Sequence, residues 1–416
     1  MSNTLKVVDL VLKESQRIAH EKLSFIGTID RQYDKEFKYQ PGKGPNGQTI
    51  RIRQPNQYTR RQGSRVMSVQ DQNETTQNFT VATQDGVDMR FNSAELVQSV
   101  NSEAAFDDLS KNYIEPAVSV LCAGIEGDFI EYCTKATPQA VGNVGTALST
   151  LEYPGKARAK LNQALAPKGD RSIQLDSVSM GAIVNGVAAY FNPSGALSEQ
   201  YREGLIARTS MADYYEQEKL WTLTMTDDIT VNTNAAATMA NAQATLAVGT
   251  DLAEAKQVVG SVFTVAGVYD CNPETKAAYP HLKQFTITAT GSVSAGISPV
   301  VYLSGAKKNV CTSTGADLNG TTDWQSKAVV FMGAASSSYV QPLMYHKEAF
   351  QFATADLPIM DDAHKCVRSV KEGIAMRVWM GSDIRNDELL LRLDVLYGFA
   401  ALRPEWACRL FGAANA

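Results

Sequence analysis

The sequence predicts an α+β protein with a β-rich segment, a small barrel or sandwich, between mixed segments. Three observations predict it. Residues 102–134 read as the longest helix, with Ile114, Val118, Leu121, Ile125, Phe129 and Tyr132 at three-to-four spacing. Residues 257–335 are β-like: Val258–Val268, Phe285–Thr290 and Val300–Leu303 are β-branched and aromatic runs split by Gly, Pro and Asn, a spacing that suggests a small barrel or sandwich. Residues 389–396 alternate Leu391, Leu393 and Val395 with Arg392 and Asp394, the mark of a half-buried antiparallel strand.

The remaining elements follow in chain order. Residues 5–26 predict a helix with Leu5, Val8, Leu12, Ala19 and Leu23 on one face, Thr4 as N-cap and Gly27 as stop. Such a helix has little core of its own and must dock on its domain or on a neighbour. Turn chemistry clusters at Pro41, Gly42, Gly44, Pro45 and Gly47, and two period-two strands follow, Thr49–Gln54 and Gln77–Thr83. A two-stranded ribbon is marginal alone in water, so this arm needs a partner surface. Its charge is lopsided: Arg31, Lys35, Lys38, Lys43, Arg51, Arg53, Arg60, Arg61 and Arg65 face only Asp34 and Glu36 in the same span. That predicts electrostatic docking on an acidic partner, against a solvated charged loop as the plainer alternative. Nucleic acid is a third reading, but no aromatic platform is interleaved for base stacking.

Pro116 is expected either to kink the long helix or to mark its first turn. Residues 135–150 read as loop, Lys156–Leu165 as a short helix, and Ile173–Phe191 as an apolar strand or helix. Residues 229–250 contain no charged side chain, which suggests a domain boundary. Ile374–Met380 reads as a strand, and Gly398 is expected to end the strand that follows it. No solenoid-type repeat is present.

Composition narrows the function. The chain has 416 residues, 44% hydrophobic and 20% charged, so it is neither disordered nor fibrous. No apolar run is long enough for a membrane span, and the start lacks the pattern of a signal peptide, which predicts a protein made and used in a cytoplasm. A net charge of -5 argues against specific DNA binding. Cys122, Cys133, Cys271, Cys311, Cys366 and Cys408 are scattered, with no C-x-x-C pair and no His at ligand spacing; they read as reduced thiols packed as small hydrophobes. His20, His281, His346 and His364 accompany no nucleophile elbow. Gly42–Thr49 lacks the order of a phosphate loop, and Pro45 removes an N–H that such a loop would use. The adjacent pairs Asp227–Asp228 and Asp361–Asp362 make poor acid–base partners, because strand neighbours face opposite ways. The sequence therefore predicts no catalytic residue, no metal site and no cofactor.

The order of parts is informative: terminal helix, basic arm, long helix, mixed region, charge-poor junction, β-rich insert and final strands. Three stretches carry a resemblance: Tyr201–Arg208 running on to Leu220–Thr224, then Tyr345–Phe350 through Asp356–Pro358, and Leu396–Glu405 with its Tyr-Gly and Arg-Pro-Glu. In this order they resemble the coat proteins of short-tailed phages, the lederbergvirus branch of the Hong Kong 97-like capsid fold, which carries a β-barrel insertion domain. Ser210–Ala212 stands where many relatives have a Gly.

The resemblance implies an N-terminal arm helix (1–29), an extended two-stranded loop (30–90) and a peripheral domain with a spine helix (91–135). It further implies an axial domain in two parts (136–228 and 336–372) around the β-rich insertion domain (229–335), with peripheral-domain strands at 373–416. It implies a major capsid protein that self-assembles into pentamers and hexamers of an icosahedral shell, first on a scaffolding protein, and expands as double-stranded DNA is packaged. The implied partners are further copies of the chain, scaffolding protein, portal protein and non-specifically held DNA, with no membrane. The implied place is the virion, assembled in the bacterial host cytoplasm. An encapsulin-like compartment shell or another virion structural protein is the alternative. The basic arm supplies the inter-subunit contact candidates Arg51, Arg53, Arg60, Arg61 and Arg65, and the start of the long helix supplies Glu103, Asp107 and Asp108 as acceptors.

Overall fold

The computed structural model describes residues 15, 17, 23–32, 49–63, 65–67, 69–70, 74–92, 113–143, 146–188, 212–225, 230–249, 257–360, 365–371 and 374–412. The expected terminal helix lies mostly outside them, as do Tyr201–Arg208, His20, His364 and both Asp–Asp pairs. The chain forms two compact units: Met1–Ile52, Thr76–Phe129 and Phe350–Ala400 make one, and Arg53–Thr75, Ile130–Ala349 and Ala401–Ala416 the other.

The first unit is built on a five-stranded sheet of Thr83–Asn92, Phe350–Ala355, Lys365–Lys371, Ile374–Asp383 and Glu388–Ala401. Glu388–Ala401 is the central strand of the sheet. It pairs with Thr83–Asn92 from Glu388↔Asn92 to Tyr397↔Thr83, and with Ile374–Asp383 from Arg377↔Asp394 to Asp383↔Glu388. The expected alternation is present, with Leu391, Leu393 and Val395 buried and Arg392 exposed. Asp394 departs from it. It is fully buried and accepts from Arg377 at 2.6 Å and from Arg392 Nε at 2.8 Å. Gly398 does not end the strand, which runs on to Ala401. The glycine serves a close approach instead, since a Cβ there would come 2.2 Å from the carbonyl oxygen of Thr80.

The long helix runs Glu115–Ala136, so Pro116 falls in its first turn, where a missing N–H costs nothing; residues 102–112 lie outside the described part. Ile114, Val118, Leu121, Ile125 and Phe129 are buried as the spacing predicts, whereas Tyr132 is 38% exposed and Cys133 takes the inward position. Phe129 meets Phe25 at 5.2 Å, Phe352 at 5.6 Å and Phe399 at 5.2 Å between ring centroids. Phe25 and Ile26 belong to the short helix Ser24–Gly27, and both are fully buried. The Phe25 amide donates to the buried Glu126 carboxylate at 2.6 Å, and Gln351 donates to Asp30 at 2.7 Å. Thr49–Arg53 and Thr76–Thr80 pair as a separate two-stranded ribbon.

The second unit holds a mixed sheet in the order Ala140–Gly142, Ala407–Phe411, Leu343–His346, Arg171–Leu175, Asp213–Glu216. Its outer pairs are parallel and its inner pairs antiparallel. The strand Ala140–Gly142 lies within a stretch expected to be loop; Arg409–Phe411 alongside supplies the hydrogen bonds that its Gly-rich sequence does not advertise. The helix expected near Lys156 runs Glu152–Gln163, with Tyr153, Ala157 and Leu161 buried and an ion pair Glu152–Lys156 at 2.7 Å on its first turns. Ile173–Phe191 resolves into the strand Arg171–Leu175 and a helix, Ser177–Ala188.

The same unit contains a seven-stranded sheet. Its path is Thr230–Asn232, Ala328–Phe331, Val262–Cys271, Ala278–Ala289, Ser294–Val301, Gln243–Ala247, with Val310–Cys311 beside Val262–Cys271. An antiparallel bridge Thr233↔Val248 joins the two ends of the path, so the sheet closes on itself. The charge-free stretch thus lies inside this closed sheet and provides both joined ends. Phe263, Phe285, Phe331 and Trp324 form its core, with Phe263 5.7 Å from Phe285 and 5.6 Å from Phe331. Each fully buried phenyl ring contributes about 2–3 kcal/mol.

Arg409, in Ala407–Phe411, is fully buried. Its guanidinium donates to the carbonyl oxygens of Thr137 and Gly260 and to Thr286 Oγ1 at 2.9 Å. Gln284 adds paired bonds to the backbone of Ala140, accepting at 3.1 Å and donating at 2.8 Å. The closed sheet is therefore tied to the mixed sheet of the same unit by polar contacts, those of Arg409 fully buried.

Candidate functional site

The ribbon and its tip carry the sequence-derived candidates. In Thr49–Arg53 the outward positions are Thr49, Arg51 and Arg53, all exposed, with Ile50 and Ile52 half-buried between them. Period-two alternation puts both arginines on one face. Arg53 lies 3.7 Å from Glu74, an exposed pair of small energetic weight. Beyond the strands, Thr59 and Gln70 clamp the tip: the Thr59 amide donates to Gln70 Oε1 at 2.8 Å and Gln70 Nε2 to the Thr59 carbonyl at 2.7 Å. Within the clamp Arg60 donates to Gln62 at 3.1 Å and Arg61 to the Val66 carbonyl, while Arg60, Arg61 and Arg65 are all exposed.

The tip is apolar as well as basic, which a charge count does not reveal. Tyr58 is 55% exposed, Val66 77%, Met67 78% and Val69 81%. Single exposed apolar residues are ordinary, but four within twelve residues are not. The signal is present in Val66-Met67-Ser68-Val69, though in a segment dominated by its charges. The structure thus brings Arg51 and Arg53 together on one face, and Arg60, Arg61 and Arg65 together at the tip. Glu103, Asp107 and Asp108 lie outside the described residues.

Titratable groups elsewhere are used internally. His346 is buried, accepts from the Glu348 amide at 3.3 Å and meets Trp406 edge-on at 5.5 Å; burial pushes its pKa down. Burial raises the Asp270 carboxyl, but Lys283 at 2.8 Å, the His281 hydrogen bond and the Lys160 charge outweigh it and hold the group well below the usual carboxylate range. Among the described residues no three His, Cys, Asp or Glu side chains are placed to hold a metal ion, and no helix is long and apolar enough to cross a membrane.

Residues 218–412 match the family model described as P22 coat protein, gene protein 5. No curated protein sequence matches the chain. Similar solved structures include one of Mycobacterium phage Che8, 11% identical with a TM-score of 0.48, covering 93% of this chain and 90% of that one. The capsid of cyanophage P-SCSP1u is 10% identical with a TM-score of 0.43, covering 89% and 85%. The mature capsid of bacteriophage PhiM1 is 9% identical with a TM-score of 0.41, covering 89% and 83%.

Proposed function

We propose that this chain is a major capsid protein of a tailed bacteriophage with the Hong Kong 97-like fold, and that it assembles through its ribbon tip into pentamers and hexamers of a closed icosahedral shell around double-stranded DNA; the match of residues 218–412 to the coat-protein family model supports this reading. In this reading scaffolding and portal proteins act during assembly in the host cytoplasm, and the shell expands as it matures. The observation that carries it is the tip itself: Tyr58, Val66, Met67 and Val69 exposed beside Arg60, Arg61 and Arg65. A repeated self-contact resolves that exposure, because closed symmetry lets every copy bury the same patch against its neighbour. Glu103, Asp107 and Asp108 remain the proposed acceptors for the arginines. Each exposed pair contributes about 0.2–1 kcal/mol, so the charges guide register while the apolar groups supply strength. The segments assigned to arm, loop, peripheral, axial and insertion domains keep those roles here, with the closed sheet as the insertion domain. The protein acts as a building block without catalysis of its own.

The test is electron microscopy of shells from wild-type protein and from the double variant Arg60→Glu, Arg61→Glu, expressed with its scaffold. The expected result is closed shells from the first, and soluble folded subunits without shells from the second. Normal shells from the variant remove the tip from the assembly contact.

A further inference from the structure

Asparagine is followed by glycine at Asn46–Gly47, Asn185–Gly186 and Asn319–Gly320. The pairing matters chemically, because a glycine amide with no Cβ beside it can approach the carbonyl carbon of the preceding side chain. Asn46–Gly47 lies outside the described residues. Asn185–Gly186 lies in the helix Ser177–Ala188, where amide hydrogens are engaged by carbonyls one turn back. Asn319–Gly320 lies in a turn of the closed sheet, between Val310–Cys311 and Ala328–Phe331.

The turn is built around the Asn319 side chain. Asn319 is exposed, and its Oδ1 accepts from the Thr321 amide at 2.9 Å and from Thr321 Oγ1 at 2.7 Å. A side-chain oxygen bonded to the amide two residues on folds Cγ back toward the intervening nitrogen, here that of Gly320. Two donors on one carbonyl oxygen also draw electrons from Cγ, and they stabilise the negative charge that an attack there places on the oxygen. Among the described residues, neither the Gly320 amide nor Asn319 Nδ2 has a hydrogen-bond partner.

The flanking backbone is anchored. The Asn319 amide donates to Asp323 Oδ2 at 2.6 Å, and the Met239 amide donates to the Gly320 carbonyl at 2.6 Å. The Thr321 carbonyl accepts from the amides of Trp324 and Gln325. A Cβ at position 320 would come 2.4 Å from the Met239 carbonyl oxygen. Space therefore requires glycine here, and the fold itself keeps the reactive pair in place.

We infer that Asn319 is a site of spontaneous deamidation, promoted by its own turn, that yields aspartate and isoaspartate. Hydroxide takes the Gly320 amide proton, and the nitrogen attacks Asn319 Cγ. The carbonyl electron pair moves onto Oδ1, where both Thr321 donors hold it. When the carbonyl re-forms, the Cγ–Nδ2 bond breaks. Nδ2 takes a proton from water and leaves as ammonia, which regenerates the hydroxide. Water then opens the five-membered imide at either carbonyl, giving aspartate or isoaspartate, with no oxidation or reduction. Either product places a carboxylate beside Asp323. Isoaspartate also adds a carbon to the backbone before Gly320, which shifts its carbonyl from Met239 and loosens the turn from the closed sheet.

The test keeps purified full-length protein, native and in urea, in mildly alkaline buffer made with oxygen-18 water. Peptides are then read by mass spectrometry with fragmentation that separates aspartate from isoaspartate. The expected result is oxygen-18-labelled product at Asn319 in the native protein, formed no more slowly than in urea, with Asn185 converted only in urea. Thr321→Val keeps the amide donor and removes the hydroxyl. It should slow the native reaction several-fold and leave the rate in urea unchanged. Slower conversion of Asn319 in the native protein than in urea overturns the proposal, and this readout needs no variant to fold. An unchanged native rate in Thr321→Val overturns it as well.

Discussion

Arg409 donates through Nε to the carbonyl oxygen of Thr137 at 2.8 Å, with both residues buried. Thr137 follows the long helix directly, and the same guanidinium reaches Gly260 and Thr286 of the closed sheet. Burial pushes its pKa down to about 9, still above neutral pH, so the cation persists and is stabilised by neutral oxygens. Arg409→Met should leave three buried acceptors without donors and cost about 3 kcal/mol in urea unfolding. Arg409→Lys should recover little of that loss, because an ammonium cannot reproduce the planar fork.

The Arg377–Asp394 pair at 2.6 Å is a buried ion pair of the first unit, with side chains 5% and 0% exposed. Removing one partner strands a charge. Asp394→Asn should cost about 3–5 kcal/mol by thermal or denaturant unfolding. Replacing both residues, Arg377→Met with Asp394→Leu, should be markedly milder than the single change. Equal losses in single and double variants would mean that Arg392, the other donor to Asp394, carries the interaction instead.

Asp270 gives a pH signature. Its folded pKa is depressed, so the stability it contributes is complete above the unfolded value near ~3.9 and is lost as pH falls toward the folded value. Asp270→Asn should therefore be less stable than wild type by a constant margin across roughly pH 5–8, and the margin should narrow below about pH 4. Urea midpoints measured at several pH values would check this. A margin that grows on acidification would contradict the assignment.

Gly398→Ala should push the strand Glu388–Ala401 away from Thr80, since the added Cβ would sit 2.2 Å from a backbone oxygen that has no flexible end to move. A loss of about 2 kcal/mol or more is expected in unfolding. Hydrogen exchange should quicken at Thr80 and Val81 before it does elsewhere in the sheet.

Elements with one strong period are legible in the sequence. The long helix shows its face through Ile114, Val118, Leu121, Ile125 and Phe129, and the final strand of the first unit through Leu391, Leu393 and Val395. Thr83–Asn92 is not legible although Val87, Met89 and Phe91 alternate, because Asp85, Gly86 and Asp88 read locally as turn chemistry. Gly86 is there for space: a Cβ would lie 2.6 Å from both the Asp394 carboxylate and the Leu393 carbonyl, a requirement set by a strand far away in sequence. Arg409 gives no signal, since a single arginine in Ala-Cys-Arg-Leu-Phe looks like a surface position until its three acceptors are assembled. At the ribbon tip the arginines are visible as charge, while the exposure of Tyr58, Val66, Met67 and Val69 depends on what the rest of the chain leaves uncovered.

The place of Ala407–Phe411 between Ala140–Gly142 and Leu343–His346 also sets an order of events during synthesis. That strand leaves the ribosome after every other strand of its sheet, and after the closed sheet that Arg409 holds. A chain cut short before Ala407 would retain every strand of the closed sheet but leave bare the edges of Ala140–Gly142 and Leu343–His346 between which Ala407–Phe411 lies. Such fragments should be sticky and open to proteases rather than competent to join their complete siblings.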